Sequence, residues 1–514
     1  MANPLTRTKS VEQSLADTDE PDTKLRKNLT WRDLTVFGVS VVIGAGIFSV
    51  TAGQAGDKAG PAISLSFVLA AIACGLAALC YAEFASTVPV AGSAYTFGYA
   101  TFGEFLAWIL GWDLILEFAV GAAVVAKAWS SYLTNVFGDG VNGIVTVGGI
   151  DVDWGAITVI AVLTILLVIG TKLSAGVSAV ITAIKISVVL LIIVVGAFHI
   201  KVDNYSPFVP KAEGGGDSDG SIESSLFSLM TGSGGESYGW YGVLAAASIV
   251  FFAFIGFDVV ATTAEETKNP QRDVPRGIFG SLIIVTVLYI AVTIVVTGMS
   301  KYTELSTAAG EGEWQGKPKN LAYVFGINGM EWVERVVAIG ALAGLTTVVM
   351  VLMLGQSRVL FAMSRDGLLP RRLARTHRSY GTPYRLQIGI GVVVAVVAGF
   401  FPINRLEEMV NVGTLFAFVV VAGGLMVLRR TRPDLKRGFV VPGGPIIPVL
   451  AIIACLWLML NLSALTWIRF LVWMVIGVCV YFLYGMRHSM VGKREREAVG
   501  GSTSTVAAAG ADDS

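Results

Sequence analysis

Long apolar runs follow one another along almost the whole chain, and they constrain its fold more than any other feature. Between Leu34 and Tyr484 apolar runs of about 18 to 25 residues recur, enough for a helix to cross a hydrocarbon layer of about 30 Å, and the third and eighth runs are longer. A backbone N–H or C=O left unpaired in lipid costs several kcal/mol, so such runs cross a membrane as helices. We therefore predict an all-α polytopic membrane protein with about twelve transmembrane helices, at approximately 34–59, 62–87, 100–134, 154–171, 176–199, 239–264, 277–299, 322–362, 386–402, 406–428, 445–463 and 467–485.

Charged residues lie mainly outside these runs. They make up 14% of the 514 residues, where a soluble protein has about a quarter. Residues 1–33 are polar and carry no apolar core, so we expect no cleavable signal peptide there. We predict cytoplasmic tails at 1–33 and 486–514, on either side of one membrane domain at 34–485.

The distribution of Lys and Arg predicts the orientation. With the N-terminus inside, the inner segments hold 26 of the 37 basic residues. This asymmetry favours two cytoplasmic termini and an even number of crossings of the cell membrane. The net charge is zero, so no nucleic-acid partner is expected, and membrane lipid is the expected surroundings. With three histidines and four cysteines, at or near the runs, we expect no metal, cofactor or catalytic site.

Two of the runs contain helix-breaking glycines. The first has "VVIGAGIFSV" (Val41 to Val50), and the sixth has "FFAFIGFDVV" (Phe251 to Val260) with Gly256 at its centre. Close helix–helix packing explains such glycines as well. Interruptions at matching positions of two halves are, however, the best sequence indication of a transporter site at mid-membrane. The spacing of five helices predicts two inverted repeats, at 34–199 and 239–428, with two additional helices at 445–485.

A broken helix offers groups that bind a zwitterion. Its free N–H groups attract an anion and its free C=O groups attract a cation. We predict that the carboxylate of an amino acid meets the N–H groups of Gly44, Ala45, Gly46 and Ile47. We predict that its ammonium meets the carbonyls of Val42, Phe252, Ala253 and Ile255.

Four segments resemble one transporter family. They are "VIGAGIF" followed by "AGPAIS", then "YAEFASTVPVAGSAYTFGYATFGE", "FFAFIGFDVVATTAEETKNPQRDVPRGI" and "GQSRVLFAMSRDGLLP". The chain resembles the amino acid–polyamine–organocation superfamily over roughly 34–485, and within it the cationic amino acid transporters and their bacterial relatives. This resemblance implies the leucine-transporter fold and transport of amino acids by proton symport or by exchange.

The resemblance also assigns site residues. It places Gly44, Ala45 and Gly46 on the carboxylate-binding turn, and Phe252 and Ile255 on the ammonium-binding carbonyls. The family often has Ser or Thr where this chain has Ala45, so a hydroxyl contact to the carboxylate is missing here.

Lys185 lies about 15 Å into the fifth helix, which is deep for a lysine that reaches the interface. Either it joins helices by bonding to carbonyls, or it binds the coupling proton. The resemblance implies the second role, because this position in the family lies where sodium-driven relatives bind sodium. We therefore expect the proton to be the coupling ion.

Glu117 lies within the third run, where an acid is a functional candidate by default. A structural ion pair with Lys127 or Lys185 is the alternative. The resemblance places Glu117 in the binding pocket, which favours a cationic substrate, although relatives also carry neutral amino acids. Asp258 and Glu83 are predicted near the cytoplasmic helix ends, either as inner-gate partners of the arginines there or as solvated or capping residues.

Four alternatives compete with a proton-coupled carrier. An exchanger without net proton movement remains open. A channel favours a continuous polar pore, whereas paired breaks within one chain suit alternating access. A substrate-sensing receptor would carry a signalling domain, and none is visible. We see no catalytic constellation for a membrane enzyme.

Overall fold

A computed structural model describes residue 7 and residues 29–88, 93–138, 140–170, 175–213, 222–232, 237–307, 317–377 and 379–493. Most of these residues are helical. The longer helices are α1 Trp31–Val42, α2 Ile63–Thr87, α3 Ser93–Thr101, α4 Glu104–Ser131, α5 Trp154–Ile169, α6 Ala175–Ala197, α7 Gly239–Val250, α8 Pro270–Met299, α9 Leu321–Ile327, α10 Glu331–Arg365, α11 Tyr384–Phe400, α12 Ile403–Thr431, α13 Ile446–Leu460 and α14 Ala464–Val480.

Shorter segments continue or connect these helices. After α1 the chain continues as Gly46–Val50, Thr51–Gln54, Ala55–Ala59 and Gly60–Ala62, and after α7 as Phe251–Phe254, Val259–Thr262 and Ala264–Glu266. After α14 it continues as Tyr481–Gly485 and Met486–His488. The remaining short helical segments are Leu133–Phe137, Val202–Tyr205, Leu226–Thr231, Tyr302–Leu305 and Arg371–Ala374.

One small hairpin precedes α5. Strands β1 (Ile144–Val147) and β2 (Ile150–Asp153) pair antiparallel, with Ile144 opposite Asp153. Asp153 ends the hairpin and begins the helix, because its Oδ1 accepts the N–H of Ala156 at 2.9 Å. This side-chain cap satisfies one of the donors that the start of a helix leaves free.

Eight helical stretches of the described chain are long and apolar enough to cross a membrane. One of them, Trp31–Thr87, contains the first two predicted runs, and three shorter apolar helices (α5, α11 and α13) coincide with the fourth, ninth and eleventh. Every predicted run therefore coincides with helix in the structure. The chain is a mostly helical, multi-pass membrane protein.

Two of the long runs are not single helices. The third was predicted as 100–134, but α3 ends at Thr101 and α4 starts at Glu104, with Gly103 at φ 98° between them. The eighth was predicted as 322–362, but α9 and α10 are separated by Gly329 at φ 74°. Glycine adopts such angles without the steric cost of a Cβ. Hydropathy alone does not mark these corners, because apolar residues lie on both sides of them.

The core of the bundle lies around the two interrupted runs. α4 packs against α10 and α12, and α8 packs against α1 and α2. The segments Gly46–Val50 and Phe251–Phe254 contact each other directly. Large apolar side chains on α5, α11 and α14 are exposed, as expected for helices that face lipid.

Candidate functional site

The first apolar run is interrupted just after α1. The helix ends at Val42, Ile43 takes extended backbone angles, and helical structure resumes at Gly46. Helix ends leave N–H and C=O groups without partners in the helix, so this break offers both donors and acceptors. The hydroxyl of Tyr289 donates to the Val42 carbonyl at 2.7 Å. A carbonyl has two lone pairs, so Val42 keeps one for a ligand.

The sixth run is interrupted beside the first. The turn Phe251–Phe254 is followed by Ile255 in an extended conformation and by Gly256 at φ 111°. A Cβ at Gly256 would also lie 2.7 Å from Cγ1 of Val41. Glycine is therefore required there by the backbone angle and by the close approach to α1. The two breaks meet because this position carries no side chain.

Both breaks open on one small cavity, which we call the central cavity. Its lining residues are Val41, Val42, Gly44, Ala45, Gly46, Glu117, Gly121, Val125, Phe252, Ile255, Val348, Leu352 and Val410. Seven of the nine residues predicted to bind substrate are among them. The volume is about 20 Å³, room for about one water molecule. An amino acid enters only if the surrounding helices separate.

Two predicted residues do not line the central cavity. Ile47 is fully buried. Ala253 instead packs against Gly46, where an added Cβ would lie 2.2 Å from the Cα of Ala253. Gly46 therefore allows the two broken segments to touch. A side chain at this position would meet Ala253 before it met a ligand.

Sequence reasoning missed six of the thirteen residues that line the central cavity, and five of these lie on other helices. Gly121 and Val125 come from α4, Val348 and Leu352 from α10, and Val410 from α12. They are small or aliphatic residues within apolar runs, so nothing in the sequence distinguishes them from residues that face lipid. Only the packing of α4, α10 and α12 around the breaks brings them together.

Glu117 is the titratable side chain that lines the central cavity. Its side chain is 2% exposed and lies near Thr414 of α12, whose hydroxyl donates to the carbonyl of Val410 at 3.0 Å. Its Oε1 has no hydrogen-bond partner among the described residues, and neither carboxylate oxygen of Asp113, one turn earlier, has one there. The predicted alternative, an ion pair with Lys127 or Lys185, is wrong, because both lysines bond elsewhere.

Lys185 is fully buried beside α1 and α10. Its Nζ donates to the backbone carbonyl of Ser40 at 2.6 Å. Gly344 of α10 faces it, and an added Cβ there would lie 3.0 Å from its Cε. The amine thus contacts the last turns of α1, one helical turn before the break.

Lys127 lies at the end of α4 away from Glu117. Its Nζ bonds to Oδ2 of Asp153 at 3.1 Å and to the carbonyl of Ala398 at 3.0 Å. It connects α4 to the start of α5 and the end of α11. This is the structural pairing expected of a lysine at a helix end, and it leaves the central cavity untouched.

The two predicted gate residues, Glu83 and Asp258, differ in their bonding partners. Glu83, fully buried near the end of α2, accepts a bond from Nε of Arg429 at 2.9 Å and from the N–H of Val441 at 2.7 Å. The Nε of Arg437 lies 3.6 Å from Oε1 of Glu83. Asp258 is also buried, but its Oδ1 has no partner in the described part of the chain and no arginine contacts it there. The expected arginine partner of Asp258 is thus not found.

Comparison with known proteins identifies the family. A family model described as "Amino acid permease" matches residues 29–484. The branched-chain amino acid permease BcaP of Bacillus subtilis is 40% identical over 497 residues, which is 94% of this chain and 98% of that protein. The methylthioribose transporter of the same organism is 40% identical over 91% of this chain and 95% of its own length.

A plant relative belongs to the branch suggested by the sequence motifs. The vacuolar cationic amino acid transporter 4 of Arabidopsis thaliana is 30% identical over 95% of this chain and 96% of its own length. Together with the family match, these relatives show a transporter and not an enzyme. The chain belongs to the amino acid permease family of the amino acid–polyamine–organocation superfamily.

Proposed function

We propose that this permease moves an amino acid across the cell membrane by alternating access around the two helix breaks. The observation that carries the proposal is that both breaks open on one cavity. The N–H groups of Gly44–Ile47 bind the substrate carboxylate, and the carbonyls of Val42, Phe252, Ala253 and Ile255 receive its ammonium. Because the central cavity has room for about one water molecule, the helices around it must separate before an amino acid binds.

The same arrangement supports a leucine-transporter-type fold. In this proposal residues 34–199 and 239–428 are inverted five-helix repeats, and 445–485 adds two helices. The broken segments occupy equivalent positions, first in each repeat. Both termini lie inside the cell, which accords with Arg7 packing against Gly492 at one end of the bundle.

The wall of the central cavity favours a neutral aliphatic substrate. Val125, Val348, Leu352 and Val410 present only methyl groups to the space beyond the breaks. Burial of an aliphatic side chain against them contributes about 0.8 kcal/mol per CH₂. The relative described as a branched-chain amino acid permease has this substrate class in its name.

A cationic substrate is the second candidate. Glu117 lines the same cavity with one oxygen free of partners among the described residues. The guanidinium or ammonium of arginine, lysine or ornithine would bond it. Relatives described as cationic amino acid transporters match most of this chain.

Coupling to protons is proposed to run through Lys185. Protonation restores a buried charge whose described partner is the Ser40 carbonyl of α1. That charge stabilises the conformation of α1 in which the break binds substrate, so substrate and proton move together. An amino acid exchanger in which Lys185 only joins α1 to α10 is the alternative. Glu83 and Arg429 form the inner gate of this proposal, with Asp258 beside the second break.

Counter-flow in proteoliposomes tests the proposal. Vesicles are loaded with each of the twenty amino acids and the uptake of labelled leucine or arginine is measured. A carrier accelerates uptake when its substrate is present inside, whereas a channel or a receptor does not. No acceleration by any amino acid would contradict transport by alternating access. Acceleration by arginine and lysine alone would select the cationic substrate.

A further inference from the structure

A second, larger cavity lies at the end of the bundle that carries the basic loops. It has a volume of about 400 Å³ and lies between the end of α10 and the extension of α14. Arg371 and Arg372 line one side, and Tyr484, His488 and Lys493 line the other. We call it the basic-end cavity. None of its residues lines the central cavity.

The walls of the basic-end cavity are held in place by main-chain contacts. The N–H of Met490 donates to the carbonyl of Asp366 at 3.0 Å. A Cβ on Gly367 (φ 82°) would lie 2.5 Å from the carbonyl oxygen of His488, so the two chains approach as closely as backbones can. The imidazole of His488 stacks on Tyr484 with ring centres 4.1 Å apart. The cavity is thus a built feature of the fold.

Its positive charges are not balanced within the described chain. Arg371, Arg372 and Lys493 have no ion-pair partner among the described residues. The nearby acids point elsewhere: Asp366 accepts the hydroxyl of Tyr95 at 2.7 Å, and Glu104 accepts the hydroxyl of Tyr481 at 3.1 Å. Three cations around one cavity therefore form a site that suits an anion.

The surface beside the cavity indicates which kind of anion would bind there. Leu483 is 72% exposed and Phe482 is 41% exposed on the turn just before Tyr484. Upstream, α14 exposes Leu471 and Val475. An apolar, lipid-facing surface thus runs up to the cavity and ends at its basic rim. Lipid acyl chains would fit the apolar surface, and a phosphate group would fit the basic rim.

We propose that the basic-end cavity binds the headgroup of an anionic phospholipid, with the phosphate between Arg371, Arg372 and Lys493 and the acyl chains along α14. Guanidinium groups suit this role because they bond phosphate oxygens in pairs. Basic pockets between membrane helices bind such headgroups in general. A free phosphate ion offers the same charge but makes no use of the apolar surface.

The test uses the full-length protein purified in a neutral detergent. Binding of short-chain phosphatidylglycerol, short-chain phosphatidylcholine and inorganic phosphate is titrated by native mass spectrometry. We expect phosphatidylglycerol to bind at least about tenfold more tightly than the other two. In the double variant Arg371→Gln/Arg372→Gln we expect its affinity to fall about 30-fold, which corresponds to about 1 kcal/mol for each basic residue.

A matched double variant separates a site from diffuse attraction. Arg430→Gln/Lys436→Gln removes the same charge from exposed positions that do not line the cavity, and we expect less than a twofold change. The single variant Lys493→Gln, expected to bind about fivefold more weakly, keeps the test valid if the double variant misfolds. Equal losses in both double variants, or unchanged binding in Lys493→Gln, would overturn the proposal. Phosphate binding as tight as that of the lipid would also overturn it, because the anion would then be a soluble one.

Discussion

The close approach of the two broken segments makes a sharp prediction for two neighbouring glycines. At Gly46 an added Cβ would lie 2.2 Å from the Cα and 2.7 Å from the N of Ala253, both backbone atoms. At Gly44 the nearest atoms are the methyl groups of Val348 at 3.5 Å, an ordinary contact. We therefore expect Gly46→Ala to be damaging and Gly44→Ala to be tolerated, although both add one methyl group to the same break.

The size of the effect follows from the geometry. To reach an ordinary contact of 3.4 Å, the segment Gly46–Val50 and the turn Phe251–Phe254 must separate by about 1.2 Å. Overpacking of this kind costs about 1–3 kcal/mol, and backbone neighbours place it at the upper end. Alanine returns about 1 kcal/mol of helix propensity. The net loss at Gly46 is about 2 kcal/mol, and the change at Gly44 is within about 1 kcal/mol.

Two measurements check this prediction on the purified variants. Unfolding in detergent gives the loss of stability, and counter-flow in proteoliposomes gives transport. Gly46→Ala should unfold at a lower temperature and lose counter-flow, whereas Gly44→Ala should unfold at about the wild-type temperature. If Gly46→Ala matches Gly44→Ala in both measurements, the contact with Ala253 is not needed, and the reasoning from close packing of the breaks is refuted.

Further predictions concern the charged residues and Ala45. Lys185→Ala should abolish substrate accumulation driven by a pH gradient in the absence of sodium. Exchange of substrate should persist, because exchange requires no net proton movement. Uptake into proteoliposomes, with and without an imposed pH gradient, measures both. Glu117→Gln should weaken arginine far more than leucine if the substrate is cationic, as counter-flow competition would show. Glu83→Gln should lower the free energy of unfolding by about 3 kcal/mol, because it leaves Arg429 half-buried without its carboxylate. Ala45→Ser should keep or increase substrate affinity, since it adds a hydroxyl at the break; a binding titration decides this.

A matched control accompanies the lysine experiment. Lys127→Ala removes another largely buried lysine from an ion pair far from Glu117. It should cost stability and leave proton-driven accumulation intact. Accumulation that survives in Lys185→Ala, or that is lost equally in both variants, would favour a purely structural role for Lys185.

The sequence alone predicted the class of fold and the positions of the breaks. A helix in lipid must satisfy its backbone hydrogen bonds within itself, so each apolar run predicts a helix from local information. Gly44, Gly46 and Gly256 mark the breaks because glycine weakens a helix wherever it stands. A mid-membrane acid and lysine, Glu117 and Lys185, are also visible without a structure, because charges are rare at that depth.

Partners of these residues were not predictable. Lys185 was weighed as a partner of Glu117 but bonds Ser40, and Asp258 was expected beside an arginine but has none among the described residues. Gly103 and Gly329 turn the chain inside runs that hydropathy presents as continuous. Each of these facts depends on which helix packs against which.

The sequence by itself therefore determined that this chain crosses a membrane as helices and that two of those helices are interrupted. Only the tertiary structure decided that Val348, Leu352 and Val410 close the cavity, that Gly46 rests on Ala253, and that Arg371 and Arg372 face the end of α14. The physical reason is that in a membrane both the lipid-facing and the protein-facing sides of a helix are apolar. The amphipathic periodicity that shows the buried face of a soluble helix is then weak, and the packing partners are set by shape complementarity between residues far apart in the chain.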